Sequence, residues 1–139
     1  MYISVNNSIG FKVNQSANII NNYFINVLKP YHIAPEQRAI LELLKNDNLI
    51  NQITIANLLG KDKTTISRAI NTLEKKGLIR RKSIINNKRS NQITLTKKGE
   101  DILEHSRIVV TDFREHFHSK LNKEEMKTLF MLLNKLTQK

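Results

Sequence analysis

From Ile9 to Leu28 apolar residues return at steps of three and four: Ile9, Val13, Ala17, Ile20, Phe24 and Val27/Leu28. That spacing lines one face of a helix. Pro30 ends it, because the residue before a proline resists helical backbone angles. A second helix starts at Pro35, with Glu36 favoured near its positive end. It buries Ala39, Ile40, Leu43 and Leu44 and runs up to Asn46–Asn48. Asn51 is a good N-cap for a third helix that Gly60 stops, and Asp62 for a fourth that Gly77 stops. In the fourth, Ile66, Ala69, Ile70 and Leu73 recur at i, i+3, i+4 and i+7 and face the core. The opposite stripe is Thr65, Arg68, Thr72 and Lys75/Lys76, flanked by Thr64, Ser67 and Asn71.

Leu78–Ile85 and Gln92–Thr96 read as two strands around a turn at Asn86–Ser90. The second alternates Ile93 and Leu95 with Gln92, Thr94 and Thr96. Thr96 then caps one long helix ending near Leu121, with a stripe of Ile102, Ser106, Val109, Phe113, Phe117 and Leu121. Asn122 with Glu125 forms a capping-box start for a last helix. Its Met126, Leu129, Phe130, Leu132, Leu133 and Leu136 cover more of its circumference than one partner helix needs. Met1–Ser8 reads as a loosely ordered arm.

Charge changes this picture. The chain has 139 residues, a net charge of +11 and a pI near 10.0. Between Lys61 and Arg89 lie ten Lys/Arg against only Asp62 and Glu74, so eight of the eleven net charges sit in one stretch. A patch this concentrated is the electrostatic footprint of a polyanion, nucleic acid first. An apolar fraction of 40% excludes a disordered tail. The absence of cysteine excludes disulfides, thiolate zinc sites and thiol redox sensing. No apolar run has the length of a membrane span and no signal peptide precedes the first helix, so the chain reads as cytoplasmic.

The polar stripe of the fourth helix suits a DNA groove. The major groove admits one helix, whose N-terminal residues reach base edges. Thr64, Thr65 and Ser67 are short, and their hydroxyls can bond phosphates or bases. Arg68 has the fork for guanine, and Lys61 and Lys63 sit where a helix N-terminus also favours phosphate. Asn71 and Thr72 extend the same face. On the hairpin, Arg89 suits a minor groove, with Asn87, Lys88, Ser90 and Lys82 beside the backbone. Arg80, Arg81 and Lys82 alternate faces, so not all three can touch DNA. His116 and His118 point to different sides of a helix and make a poor chelating pair, and His32 and His105 lie far away; no metal or cofactor is expected. The acids are capping or surface residues without a nucleophile–base pair, which speaks against an enzyme.

Asn51-Gln52-x-x-Ile55-Ala56-x-x-Leu59-Gly60, then Lys63-Thr64-Thr65-Ile66-Ser67-Arg68 running to Leu73-Glu74-Lys75-Lys76-Gly77-Leu78-Ile79-x-Arg81, then Asn87-x-Arg89 and Ile93-x-Leu95-Thr96-x-x-Gly99, resemble the MarR family of bacterial transcriptional regulators. The resemblance runs from Ile9 onward. It implies a mainly α (α+β) fold, a winged helix-turn-helix with a two-stranded wing and N- and C-terminal dimerisation helices. Residues 1–139 would form a single unit, with 35–96 the DNA-binding lobe and 9–28 and 97–138 the dimerisation helices. The function implied is a homodimeric, sequence-specific regulator of double-stranded DNA, a repressor reading a pseudo-palindromic operator. It also implies relief by a small, often aromatic effector near residues such as Phe11, Tyr23, Phe24, Ile40 and Phe113, although core packing explains those five better and none is taken as a ligand site. Two other readings share these residues: a low-specificity architectural DNA-binding protein, and a winged-helix module for protein or RNA. The chain departs from the family at Ala34, which loses an N-cap acceptor, and at Asn87, where the family has an acid that positions the wing arginine. Asn87→Asp is therefore expected to strengthen the effect of Arg89→Ala on duplex affinity, measured by fluorescence anisotropy. Equal effects in both backgrounds would show the pair to be uncoupled.

Overall fold

The computed structural model describes the backbone of residues 1–47, 50–84 and 87–138, and within these the side chains outside 83–91. The order is α1 (Ile9–Leu28), α2 (Pro35–Asn46), α3 (Gln52–Leu59), α4 (Lys63–Lys75), β1 (Ile79–Ile84), β2 (Asn87–Leu95), α5 (Lys97–His105), α6 (Arg107–His118) and α7 (Lys123–Thr137). The fold is a winged helix-turn-helix carried by outer helices. Short 3-10 turns at Val5–Asn7 and Lys29–Tyr31 flank α1, so the N-terminal arm is partly structured where a loose one was expected.

The caps follow local chemistry. Asn51 Oδ1 accepts the Thr54 N–H at 2.8 Å, Asp62 Oδ1 that of Thr65 at 2.6 Å, and Thr96 Oγ1 that of Gly99 at 3.1 Å. Asn122 and Glu125 exchange side-chain bonds with each other's N–H. Gly60 and Gly77 take positive φ of 64° and 76°, which stops α3 and turns the chain after α4. Ala34 has no acceptor to offer α2, yet Gln37 Oε1 takes the Ala34 N–H at 3.0 Å, so half of a capping box survives.

The core lies almost wholly in the lobe formed by α2, α3, α4 and the wing, the reader lobe. Ile33, Ile40, Leu41, Leu44, Ile50, Ile55, Ala56, Ile66, Ile70, Leu73, Leu78, Ile79 and Ile93 are buried, joined by Leu28 of α1 and Val110 of α6. Leu41 and Val110 were not expected inside. Ala39, Ala69 and Leu43 are only half-buried at the edge. The outer helices present a different surface. α7 buries none of its residues, and Phe130, Met131 and Leu136 are 56%, 59% and 52% exposed. Along α1, Ile9, Phe11, Val13, Ile19 and Tyr23 are exposed as well.

Two expectations need correction. The single helix from Lys97 to Leu121 is two, meeting at Ser106 (φ −89°, ψ −2°). Ser106 Oγ donates to the Ile102 carbonyl at 2.6 Å, a serine-to-backbone bond of the kind that bends helices. The Ser106 N–H closes the last turn of α5 on the Ile102 carbonyl and the Val110 N–H opens the first turn of α6 on the Ser106 carbonyl, so the two helices share this one residue as a kink with no loop between them. The hairpin is also longer than expected. β1 spans Ile79–Ile84 and β2 begins at Asn87, not Gln92. Ile79 faces Leu95 and the register holds to Ser83–Asn91, then shifts so that Ile84 faces Asn87. Residues 88–90 thus have no partner among the described residues of β1. Residue 85, the expected end of the first strand, and residue 86, the expected start of the turn, lie outside the described residues, as does Asn48 at the expected end of α2.

One buried ionic group joins the layers. The Arg38 side chain in α2 is 4% exposed and lies 3.2 Å from Glu42 Oε1. Arg114 of α6 grips Glu42 with both nitrogens, Nη1 to Oε1 at 2.8 Å and Nη2 to Oε2 at 2.6 Å. Burial alone would raise the Glu42 carboxyl, but the hydrogen bonds and charges of Arg114 and Arg38 outweigh it and hold Glu42 below the usual carboxylate range. Burial pulls the Arg38 guanidinium below its ordinary value.

The start of α5 is pressed against the end of the reader. A side chain at Gly99 would overlap the Leu78 carbonyl oxygen and crowd Leu95, and backbone cannot yield as a flexible side chain can. Gly99→Ala should lower stability by about 1–3 kcal/mol in urea unfolding. A loss below a few tenths would show that α5 can move away freely.

Candidate nucleic-acid interface

α3 and α4 meet across Gly60, and α4 turns its apolar side inward, with Ile66, Ile70 and Leu73 buried. That orientation leaves Lys61, Lys63, Thr64, Arg68 and Asn71 exposed on one side, with Thr65, Ser67 and Thr72 half-buried beside them. The N-terminal turn stays fixed because Asp62 is hydrogen-bonded to the Thr65 backbone, which lowers its carboxyl and keeps it ionised. Thr72 spends its hydroxyl proton on the Arg68 carbonyl at 3.0 Å, so only its lone pairs and methyl face outward. Thr65, Arg68, Ala69 and Thr72 of α4 form a cleft of about 250 Å³ with Ala34, Glu36 and Gln37 at the start of α2.

The wing is anchored to α4 by contacts that the sequence pattern missed. Arg81 Nη2 donates to Glu74 Oε1 at 2.9 Å and to Asn71 Oδ1 at 2.5 Å, and the Arg81 N–H reaches Glu74 Oε2 at 3.3 Å. Arg81 shares the strand face of buried Ile79, which turns it back against the helix, while Arg80 and Lys82 lie on the other face and are exposed. Strand alternation was the signal available; the choice of Glu74 as partner was not readable. Asn71 is thus partly engaged within the protein. The side chains of Asn87, Lys88, Arg89 and Ser90 lie outside the described residues, as does any contact between Asn87 and Arg89.

The far end of α4 is fastened to α2. Lys76 Nζ donates to the His32 carbonyl at 2.7 Å and to Gln37 Oε1 at 3.3 Å. His32 has a positive φ of 57°, which closes the turn after α1. Lys98 Nζ reaches the Lys76 carbonyl at 2.9 Å, and Thr96 Oγ1 the Gly77 carbonyl at 2.6 Å. These bonds tie reader helix, wing and α5 to one another.

The five aromatic and apolar residues weighed as ligand neighbours do not converge on one cavity. Ile40 is fully buried, Phe24 and Phe113 stack at 4.4 Å, and Phe11 is exposed. Tyr23 and Phe113 do line an apolar cleft of about 400 Å³ with Val27, Val109, Asp112 and His116. It lies between α1 and α6, within the outer layer. The larger cleft between α2 and α5, about 780 Å³, is lined by the paired charges Lys45–Glu100, Lys97–Asp101 and Arg114–Glu42. Among the described residues no group of three His, Asp or Glu could hold a metal ion, and no helix is long and apolar enough to cross a membrane.

The MarR family model matches residues 33–90, the whole helix-turn-helix with most of the wing. Over those residues the chain is similar to the MarR family. Beyond that stretch, the outer helices share the fold of solved structures along their length. S. aureus MepR, solved as a DNA complex, is 23% identical with a TM-score of 0.83, covering 93% of this chain and 96% of that one. A probable transcriptional regulator from Pseudomonas aeruginosa is 26% identical with a TM-score of 0.82, covering 96% and 99%. CouR from Rhodococcus jostii, bound to p-coumaroyl-CoA, is 18% identical with a TM-score of 0.81, covering 97% and 95%.

The Glu74–Arg81 pair has a pH dependence of defined sign. The hydrogen bonds from Arg81 lower the Glu74 carboxyl from its ordinary value. Its contribution is therefore present above the ordinary carboxylate range and lost as pH falls through the lowered folded value. Glu74→Gln should melt below wild type at pH 7, and the gap should close in thermal melts below about pH 4. A gap independent of pH would show that the charge of Glu74 is not what holds Arg81.

Proposed function

We propose that this chain is a MarR-family regulator, a homodimer that reads a pseudo-palindromic operator in double-stranded DNA and represses transcription until a small ligand releases it. The observation that carries the reading is the pairing of two unlike surfaces in one chain. One is the cationic, hydroxyl-bearing face of α4 beside a basic wing. The other is the apolar surface of α7 and α1 that this chain leaves uncovered.

Covering that apolar surface with a second copy gives a two-fold assembly with two readers. Readers about 34 Å apart would enter successive major grooves on one side of the duplex. Within each, Thr64, Thr65, Ser67 and Arg68 choose bases, with Asn71 and Thr72 at the edge of the contact. Lys61, Lys63, Lys82, Lys88 and Ser90 contribute phosphate contacts, and Arg89, beside Asn87, enters the minor groove. The DNA complex of MepR supports the reading, as does the exposure of Arg68 on α4. The p-coumaroyl-CoA bound to CouR supports a ligand-responsive regulator. In this chain the cleft between Tyr23, Val27, Val109 and Phe113 offers an aromatic ligand an apolar seat. To release DNA, the ligand has to bind the non-reading arrangement of the two readers more tightly than the reading one. Such a regulator works in the cytoplasm and needs neither metal nor catalytic group.

The test uses Arg68→Ala and Lys88→Ala against a selected operator and a random duplex. Arg68→Ala should erase the preference for the operator, a loss of about 1–3 kcal/mol on that duplex, while Lys88→Ala weakens both duplexes alike. Affinity should also fall steeply with salt, by a log–log slope of about 0.9 per phosphate contact. Equal losses for both variants on both duplexes would replace operator reading by low-specificity packaging. A flat salt response with a monomeric mass in gel filtration would overturn the DNA-reading dimer altogether.

A further inference from the structure

We propose that Arg38 is a positioning residue that sets the angle at which the reader lobe is carried on the outer helices, by holding the α5 side of the kink at Ser106 while Glu42, one turn along the same helix, holds the α6 side. Among the described residues Arg38 and Ser106 are the buried polar ones, 3% and 0% exposed, and they contact each other across 68 positions of sequence. Arg38 Nε donates to Ser106 Oγ at 2.9 Å and Nη2 reaches the Leu103 carbonyl at 3.4 Å. Ser106 spends its own proton on Ile102, so its lone pairs are what Arg38 finds. The serine that bends the helix is thus the serine that Arg38 holds.

One turn further along α2, Glu42 is held from the other side of the kink by the Arg114 fork. Two residues of one helix, four apart, therefore grip the end of α5 and the middle of α6. A guanidinium–carboxylate fork is directional, whereas the apolar contacts around it tolerate sliding. Rotating α2, or straightening the kink, breaks one grip or both. α2 in turn holds α4 through Gln37, the His32 carbonyl and Lys76, so its angle passes to the reader helix. Buried ion pairs are weak sources of stability compared with apolar groups of the same volume. Orientation is the property that an apolar replacement would lose. Arg38 Nη1 makes no hydrogen bond although it faces Glu42, which leaves the group able to re-pair if the layers shift.

The consequence for DNA rests on the homodimeric operator reading above: the angle sets the separation of the two readers. The primary measurement does not depend on it. The chain has no native cysteine, so spin labels at Lys75→Cys on α4 and Glu115→Cys on α6 report one intrachain distance when labelled chains are diluted with unlabelled ones. The wild type should give a narrow distribution, and Arg38→Met one at least about twice as broad. Arg38→Lys keeps the charge without the fork and should not restore the narrow distribution. If Arg38→Met does not fold by circular dichroism, Ser106→Ala decides, removing only the acceptor. A wild-type distribution in the folded variant, or restoration by lysine, overturns the proposal.

A second arm uses a duplex selected from a random pool by the wild-type chain, and the same duplex with one base pair inserted between its half-sites. The wild type should lose about tenfold or more on the insertion, and Arg38→Met about threefold or less. Equal discrimination by both overturns the role of Arg38 in spacing. A pool that enriches no sequence sinks the operator reading, while the label distances still decide the positioning role.

Discussion

The structure turns on α2, a helix that has to satisfy two layers at once. Its Ile40, Leu41 and Leu44 supply the centre of the reader's core, and its Arg38 and Glu42 face the outer helices. The apolar residues provide the free energy, on the order of 25 cal/mol for each Å² removed from water. The ionic pair supplies direction. Burying a guanidinium is costly unless its donors find acceptors; here the acceptors are Ser106 and the Leu103 carbonyl, with the Glu42 carboxylate 3.2 Å away as counter-charge. The requirement to satisfy that one group ties the kink, the tilt of α2 and the placement of α4 together.

From this follows the contrast between a firm reader and an open outer layer. The reader lobe is closed on itself: α3 and α4 pack on α2, Arg81 ties the wing to α4, and Lys76 and Lys98 tie the end of α4 to its neighbours. Electrostatic partners inside the lobe neutralise Glu74 and leave Lys61, Lys63 and Arg68 facing solvent, where a polyanion can reach them. The outer helices give only Leu28 and Val110 to the core and keep much of their apolar surface in water. Exposed patches of that kind on helices long enough to pack are interaction surfaces rather than accidents of composition.

Most of the local structure was legible in the residues. α1 has the bounds that its periodicity and Pro30 imply, Asn51, Asp62, Thr96 and Asn122 cap the helices they precede, and Gly60 and Gly77 sit where positive φ is needed. These are effects of neighbours within four residues, where hydrogen-bond geometry and steric exclusion act without help from the rest of the chain. The reader face was legible for the same reason: a helix with Ile66, Ile70 and Leu73 on one side has to show Thr64, Arg68 and Asn71 on the other.

What the sequence by itself determined, then, is which segments are helices, where they start and stop, and which side of α4 is polar. Only the tertiary structure decided that Arg38 is buried, that the long C-terminal helix kinks at Ser106, that Val110 joins the core, and that Arg81 turns inward to Glu74 while Lys82 stays exposed. It also extended the wing pairing to Asn87 through a register shift. The reason is physical. A charged residue in a helix reads as surface unless its partner is known, and the partner of Arg38 lies 68 residues away. Nothing in local periodicity carries that distance; it is set by how two layers, each satisfied in itself, have to meet around one buried guanidinium.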